Sequence, residues 1–293
     1  MTVSEDLLYH VDGTLVPASE ATVSVDDRGF RYGDAAFETM RAYGGTIFAW
    51  ERHVDRLERT CRALSLEHGI PAVDLRGRID ETLAANDLTN ASVRLSITRG
   101  VQPGKLTPQP EVDPTVVVYV SPLPRGGLEG SSVWETPATV RTVQTRRVPD
   151  TAIPANAKTH NYLNGILARA ELRGTDADEA LLCDLEGHLA EGATSNLFFV
   201  REGRLETPAL SGSVLPGITR ELVCELAREN GIEVHEGRYT LEDVLEAEEA
   251  FLTNRSWELR PIDRIDGAGI GGGPITDRLS RAYDERVETA CYR

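Results

Sequence analysis

Alternation of apolar and polar side chains marks the first elements of the chain. Leu8-Tyr9-His10-Val11 and Thr14-Leu15-Val16 flank Asp12-Gly13, a dipeptide suited to the tight turn of a β-hairpin. Strand patterns recur at residues 36–43, 45–49, 92–98 and 115–120. In the last of these, Val116, Val117, Val118 and Val120 form the near-continuous apolar run of a strand covered on both faces. Between these strands the period lengthens to that of a helix. Residues 50–66 place Val54, Leu57, Cys61 and Leu64 on one stripe, and residues 73–86 form a second helix. Ser121-Pro122-Leu123-Pro124-Arg125-Gly126-Gly127 then concentrates proline and glycine after a strong strand, as a linker does. These signals predict a smaller N-terminal α/β domain over residues 1–120, a linker over 121–130 and a larger C-terminal domain over 131–293.

The second half alternates strands and helices. Leu163, Ile166, Leu167 and Ala170 repeat at helical spacing, and strands follow at 179–185 and 196–200 with a turn at 201–204. Residues 218–229 read as a helix with Leu222, Val223 and Leu226 inward and Gly231 at its stop. Thr240 and Asp243 resemble a capping pair, residues 250–253 a strand, and residues 275–289 a final helix. The glycine-rich run 267–273 lacks the lysine and spacing of a phosphate loop and reads as a turn. The pattern is that of a mixed α/β protein, without repeats.

Composition narrows the function. The chain has 293 residues, 40% of them hydrophobic, enough for buried cores. A net charge of −16 argues against nucleic-acid or anionic-membrane partners, which need a basic footprint. Cys61, Cys183, Cys224 and Cys291 show no metal-ligand spacing, so no metal is expected and the thiols are expected reduced. The first residues lack a signal-peptide pattern, and no apolar run approaches membrane-spanning length, which places the protein in the cytoplasm without a membrane partner. The acidity combined with scarce lysine fits a halophilic cytoplasm; high genomic GC content also accounts for the arginines, though not for the acidity.

Lysine usage points to the chemistry. Only Lys105 and Lys158 are present, against twenty-nine arginines. A lysine, unlike an arginine, can lose its proton and attack a carbonyl. Lys105 lies in a loop-like run and reads as a surface residue, whereas Lys158 stands at the junction of Pro154-Ala155-Asn156-Ala157 with a helical pattern. Arg52, Arg56 and Arg59 share one helix face, which by spacing alone reads as solvated and could otherwise meet an anion.

Five collinear blocks carry a family resemblance. Ala157-Lys158-Thr159-His160-Asn161-Tyr162-Leu163 looks like the Schiff-base lysine region of the fold-type IV pyridoxal-phosphate enzymes: the branched-chain and D-amino-acid aminotransferases and aminodeoxychorismate lyase. The other blocks are Arg31-Tyr32-Gly33-Asp34 through Phe37-Glu38-Thr39-Met40-Arg41, His53-Val54-Asp55-Arg56-Leu57, Glu191-Gly192-Ala193-Thr194-Ser195-Asn196 and Leu215-Pro216-Gly217-Ile218-Thr219-Arg220. The resemblance implies a two-domain fold with pyridoxal 5'-phosphate in the interdomain cleft, a homodimer, and Lys158 as the residue that holds the aldehyde. It assigns Arg56, Ile218 and Thr219 to the cofactor phosphate, Glu191 to the pyridine nitrogen, Tyr162 to the ring oxygen and Leu215 to the ring face.

Physical reasons stand beside several of these assignments. Gly217-Ile218-Thr219 opens a helix whose free N–H groups and positive dipole end suit a phosphate, although an ordinary helix start has the same look. Glu191 sits among small and apolar neighbours that favour burial, and a carboxylate there would keep the ring nitrogen protonated; otherwise it is one of many acidic surface residues. Tyr162 could equally be a core tyrosine. Family members place a small hydroxyl residue where this chain has Arg255, so Arg255 itself or Ser256 would meet the phosphate.

The reaction is left between relatives. The resemblance places Tyr32, Phe37, Arg41 and Arg94 at the substrate pocket. Branched-chain enzymes carry a tyrosine-x-arginine pattern of which Ser92-Val93-Arg94 keeps the arginine, while Thr39 resembles the lyases, where a threonine is proposed to relay a proton. The carboxylate trap of the D-amino-acid enzymes falls on Gly104 and Leu106. The reading is a class IV aminotransferase acting on a branched-chain type amino acid and a 2-oxo acid, with aminodeoxychorismate lyase second, D-amino-acid aminotransferase third, and an inactive binding relative as the other class.

Overall fold

A computed structural model describes residues 7–104, 106–125 and 133–293. Lys105 and the glycines 126 and 127 of the linker segment lie outside the described residues. The chain forms two compact units: Met1–Pro124 with Ala157–Asn161 and Ala290–Arg293, and Arg125–Asn156 with Tyr162–Thr289. The five residues Ala157–Asn161, which include Lys158, thus belong to the first unit, although they lie in the second half of the sequence.

The first unit is built on a six-stranded antiparallel sheet among the described residues. Its strands are β1 (Leu8–Val11), β2 (Thr14–Pro17), β3 (Ala35–Tyr43), β4 (Thr46–Ile47), β5 (Ala91–Thr98) and β6 (Val116–Pro122), in the order β2-β1-β6-β5-β3-β4. Short helix α1 (Arg28–Tyr32) precedes β3; α2 (Trp50–Ala63) and α3 (Ala72–Ala85) separate β4 from β5. Period-two alternation sends Met40, Val93, Leu95, Val116, Val118 and Val120 to one face, where Leu57 and Cys61 of α2 and Leu75, Ile79 and Leu83 of α3 cover them. A fully buried leucine or isoleucine in such a layer contributes roughly 1.5–3 kcal/mol relative to exposure.

Several elements differ from the sequence reading. β6 is not covered on both faces: Val117 is half-buried and Tyr119 exposed, because α2 and α3 cover the opposite face of this sheet. The strand expected at 45–49 shrinks to Thr46–Ile47, since Ala49 takes a left-handed conformation that starts α2. Of the three arginines sharing a face of α2, Arg56 is buried and Arg59 exposed. The face is therefore not uniformly solvated.

The second unit is a nine-stranded mixed sheet among the described residues. It contains β7 (Ala138–Thr142), β8 (Glu179–Cys183), β9 (Leu189–Gly192), β10 (Asn196–Arg201), β11 (Arg204–Pro208), β12 (Val234–Gly237), β13 (Glu249–Asn254), β14 (Glu258–Ile265) and β15 (Ala268–Gly269). The path runs β12-β11-β10-β13-β14-β7-β8-β9, with parallel pairs at β11–β12, β14–β7 and β7–β8. Helices α4 (Leu163–Ala170), α5 (Ile218–Glu229), α6 (Leu241–Leu245) and α7 (Pro274–Cys291) complete it. The Thr240–Asp243 capping box is present at α6. In α4 the apolar stripe forms as a helix but does not enter the core: Leu163, Ile166 and Leu167 are 65, 62 and 51% exposed, while Ala168 is the residue buried.

Gly100, just after β5, holds the loop that returns to β6. Its φ is +74°, and a Cβ there would stand 1.8 Å from the Asp113 carbonyl oxygen. Gly100→Ala combines left-handed strain with a backbone clash that no rotamer relieves. We expect it to lower unfolding stability by about 2 kcal/mol or more, read as a lower urea midpoint; an unchanged midpoint would show that this approach does not constrain the loop.

Candidate active site

In the first unit, Lys158 is fixed by its own backbone. Its carbonyl accepts a hydrogen bond from the Phe37 N–H at 3.0 Å, and the His160 N–H donates to the Ala35 carbonyl at 3.0 Å. A bridge between Ala36 and Thr159 completes a short antiparallel pairing with the start of β3. The Lys158 N–H donates to Thr60 Oγ1 of α2 at 2.9 Å. From this anchored position Lys158 Nζ lies 4.5 Å from the centroid of the Phe37 ring.

Beneath it lies a buried charge cluster. Glu38 points to the helix-covered face of β3, where it is 1% exposed, and accepts both arms of a fork from Arg56, Nε at 2.8 Å and Nη2 at 2.7 Å. His53 Nδ1 completes the group at 2.7 Å from Glu38 Oε2. Burial alone would push the Glu38 carboxyl up, but the Arg56 charge and the hydrogen bonds from Arg56 and His53 hold it near about 2. Burial pulls His53 below its ordinary value despite Glu38, so a neutral imidazole donates to the carboxylate. Glu38 thus points Arg56 and fixes its planar guanidinium.

The opposite face of β3 carries Phe37, Thr39 and Arg41. Register pairs them with Ser96, Arg94 and Ser92 of β5, so all six share one side of the sheet. Arg94 stacks over the Phe37 ring at 3.6 Å, and its Nε donates to Ser96 Oγ at 3.4 Å. His160 meets the edge of the Phe37 ring at 5.5 Å, with Nε2 3.1 Å from Ser96 Oγ. Burial and then the Arg94 charge push His160 down to about 4, so it is neutral. Arg41 is buried and its Nη2 donates to the Pro124 carbonyl. Tyr32, in α1, is half-buried between the Arg28 and Arg31 guanidinium groups at 5.2 and 5.1 Å.

In the second unit, Glu191 on β9 is 7% exposed and has both oxygens engaged. Oε1 accepts from Arg147 Nε at 2.6 Å; Oε2 accepts from the Leu215 N–H at 2.9 Å and Asn196 Nδ2 at 3.3 Å. Asn196 Nδ2 also donates to the Leu215 carbonyl at 3.0 Å. Gly217, the N-cap of α5, leaves no room for a side chain, since a Cβ would stand 2.0 Å from Asn196 Oδ1. No side chain caps α5, so the N–H groups of its first turn, at Ile218 and Thr219, keep the donor capacity that a phosphate uses. Thr219 is 7% exposed and shares that turn. Arg255 and Ser256 are half-buried at the turn between β13 and β14, where Asn254 Oδ1 accepts from the N–H groups of Ser256 and Trp257. Tyr162 is the N-cap of α4, half-buried rather than in the core.

The structure brings together contacts that sequence spacing did not single out. Glu38 broke the alternation of β3 as a charge on an otherwise apolar face, which is a readable signal. Thr60 and Arg147 had none, because their contacts with Lys158 and Glu191 span 98 and 44 residues.

Each unit by itself offers groups that fit a part of pyridoxal phosphate: the first an amine suited to the aldehyde, the second an uncapped helix start after a glycine suited to the phosphate and a hydrogen-bonded carboxyl group suited to the ring nitrogen. Glu38→Gln should remove the carboxylate from the buried Arg56 guanidinium, costing about 3–5 kcal/mol of stability. Because the folded Glu38 carboxyl sits near about 2, below its ordinary 4.5, its contribution is present above pH 4.5 and lost as pH falls toward 2. The unfolding stabilities of wild type and Glu38→Gln should therefore converge over that interval; a gap independent of pH would refute an ionic role.

Comparison with known proteins agrees with this chemistry. The family model described as amino-transferase class IV matches residues 35–265. A Methanocaldococcus jannaschii protein provisionally assigned as a branched-chain-amino-acid aminotransferase is 36% identical over 94% of this chain and 95% of its own. The aminodeoxychorismate lyase of Bacillus subtilis is 32% identical over 96% of this chain and 95% of its own. The T.th. branched-chain amino acid aminotransferase, solved with N-(5'-phosphopyridoxyl)-L-glutamate, superposes with a TM-score of 0.87 at 31% identity, covering 98% of this chain and 95% of that one. A pyridoxal-phosphate-dependent enzyme of fold type IV, this chain belongs to the class IV aminotransferase family.

Proposed function

We propose that this enzyme moves an amino group between a branched-chain type amino acid and a 2-oxo acid, with Lys158 as the covalent anchor and the base at the substrate α-carbon. When bound, the cofactor withdraws electrons from that carbon. The observation that carries the reading is the shared face of β3 and β5, where Lys158 Nζ, Phe37 and Arg94 meet within 4.5 Å of one ring. The aromatic face suits an aliphatic side chain, and the Arg94 guanidinium suits a carboxylate. Tyr32 and Arg41 complete the substrate residues in this reading. Glu191, oriented by its hydrogen bond from Arg147, takes the ring nitrogen; Tyr162 donates to the ring oxygen and Leu215 packs on the ring. Arg56, Ile218, Thr219, Arg255 and Ser256 take the phosphate.

Thr39 favours a second reading, aminodeoxychorismate lyase. It is 7% exposed and faces the same side as Phe37, directly across from Arg94. A hydroxyl there is placed to move a proton during elimination of pyruvate. Under the lyase reading, Thr39→Val should slow pyruvate release roughly 10²–10⁴-fold while sparing half-transamination. Under the aminotransferase reading, L-leucine and L-glutamate convert the cofactor rapidly in both proteins and aminodeoxychorismate yields no pyruvate. One panel of these substrates on the two proteins decides between them, and no turnover of the L-amino acids would refute the aminotransferase.

We further infer a homodimer in the cytoplasm. The exposed Leu163, Ile166 and Leu167 stripe of α4 is an apolar face of the kind that subunit contacts cover. Four free cysteines fit a reducing compartment, and no helix among the described residues is long and apolar enough to cross a membrane. Sedimentation at micromolar concentration should give a dimer, and Ile166→Glu should shift it toward monomer; a fully active monomeric wild type would overturn the inference.

A further inference from the structure

The Thr60 hydroxyl is shared between two groups that the proposed function assigns to different parts of the cofactor. Thr60 is fully buried in α2, one turn after Arg56. Its Oγ1 donates to the Arg56 carbonyl at 2.9 Å and accepts the Lys158 N–H at 2.9 Å. A hydroxyl on a helix commonly bonds back to the carbonyl four residues earlier. What is unusual is that the acceptor side of the same oxygen reaches 98 residues along the chain to the reactive lysine. The Lys158 carbonyl is meanwhile held by the Phe37 N–H. The lysine peptide is therefore clamped between α2, whose preceding turn bears Arg56, and β3, whose Glu38 points Arg56.

We propose that Thr60 is a positioning residue that sets the location of Lys158 relative to Arg56 through this one hydroxyl. Distance between the amine and the phosphate-binding guanidinium must match a rigid cofactor, and displacement on the order of 1 Å costs about 10²-fold in rate. Thr60→Val keeps the branched shape and removes the hydroxyl that accepts the Lys158 N–H at this point. The Lys158 peptide N–H then loses its Thr60 acceptor in a part-buried setting, and the segment must shift to replace that bond. Thr60→Ser keeps the hydroxyl and loses a methyl group.

The inference rests on Lys158 being the cofactor lysine, which is checked first: borohydride reduction of wild type followed by peptide mapping must place the pyridoxyl group on Lys158. An adduct elsewhere overturns that assignment and the clamp with it. With the adduct on Lys158, the clamp is tested on apoprotein titrated with pyridoxal phosphate. Thr60→Val should raise the dissociation constant about fivefold or more, the equivalent of one net hydrogen bond, and shift the pH midpoint of the near-visible absorbance band. It should also lower kcat with little change in KM, and Thr60→Ser should restore all three. Thermal unfolding of each apoprotein reports packing separately. If Thr60→Val folds poorly, Thr60→Ala removes the same hydroxyl and is measured against Thr60→Ser at a temperature where both are folded. A lowered melting temperature with an unmoved band midpoint and dissociation constant, or a serine variant no better than valine, would reduce Thr60 to a packing residue and overturn the proposal.

Discussion

A carboxylate cannot be buried without a partner, and Glu38 of β3 satisfies that constraint by taking the Arg56 fork and the His53 ring. The rest of the first unit follows from this. With Glu38 turned toward α2, strand alternation obliges Phe37, Thr39 and Arg41 to face the other way, alongside Arg94 and Ser96 of β5. The edge of β3 beside Ala36 is then the place where residues 158–160 pair, which puts the lysine amine over the Phe37 ring. One strand thereby carries the Glu38–Arg56–His53 cluster on one face and Phe37, Thr39 and Arg41 on the other, and receives the Lys158 segment along its edge.

The second unit solves a related electrostatic problem with a different set of donors. Both oxygens of Glu191 are engaged, by Arg147, by the Leu215 amide and by the Asn196 amide, so the protein alone orients this carboxyl group. The same Asn196 excludes a side chain at Gly217 and so leaves the start of α5 as bare backbone. Glu179 supports this corner from within the sheet: it is fully buried, and its Oε2 accepts from the Thr194 and Ser195 hydroxyls. The loop between β9 and β10 is thus held by these hydrogen bonds together with the packing of Ala193 against the core.

The thiols and imidazoles around this chemistry are kept quiet. Burial pushes Cys61 up to about 12 and Cys224 up to about 11, so neither offers a competing nucleophile near neutral pH. His53 and His160 are both held neutral, the first beside Glu38 and the second beside Arg94.

Much of this was legible in the chain itself. Local period and turn chemistry determined the hairpin at Asp12-Gly13, helix α5 to its end residues and the capping box at α6, because those features depend on neighbours three or four residues away. The motif blocks determined the family, and lysine scarcity singled out Lys158. What sequence could not determine was what each side chain meets. The valine run of β6 reads as doubly buried, and the stripe of α4 reads as a core face, since composition is blind to which side of an element is covered. By spacing alone Arg56 read as one of three solvated arginines, and although the family resemblance singled it out, only the fold showed its carboxylate partner on β3. Thr60 and Arg147 carried no signal at all. Their contacts join residues far apart in sequence, and the entropy of closing such loops is overcome only when whole sheets and helices pack together, which is information that no local window holds.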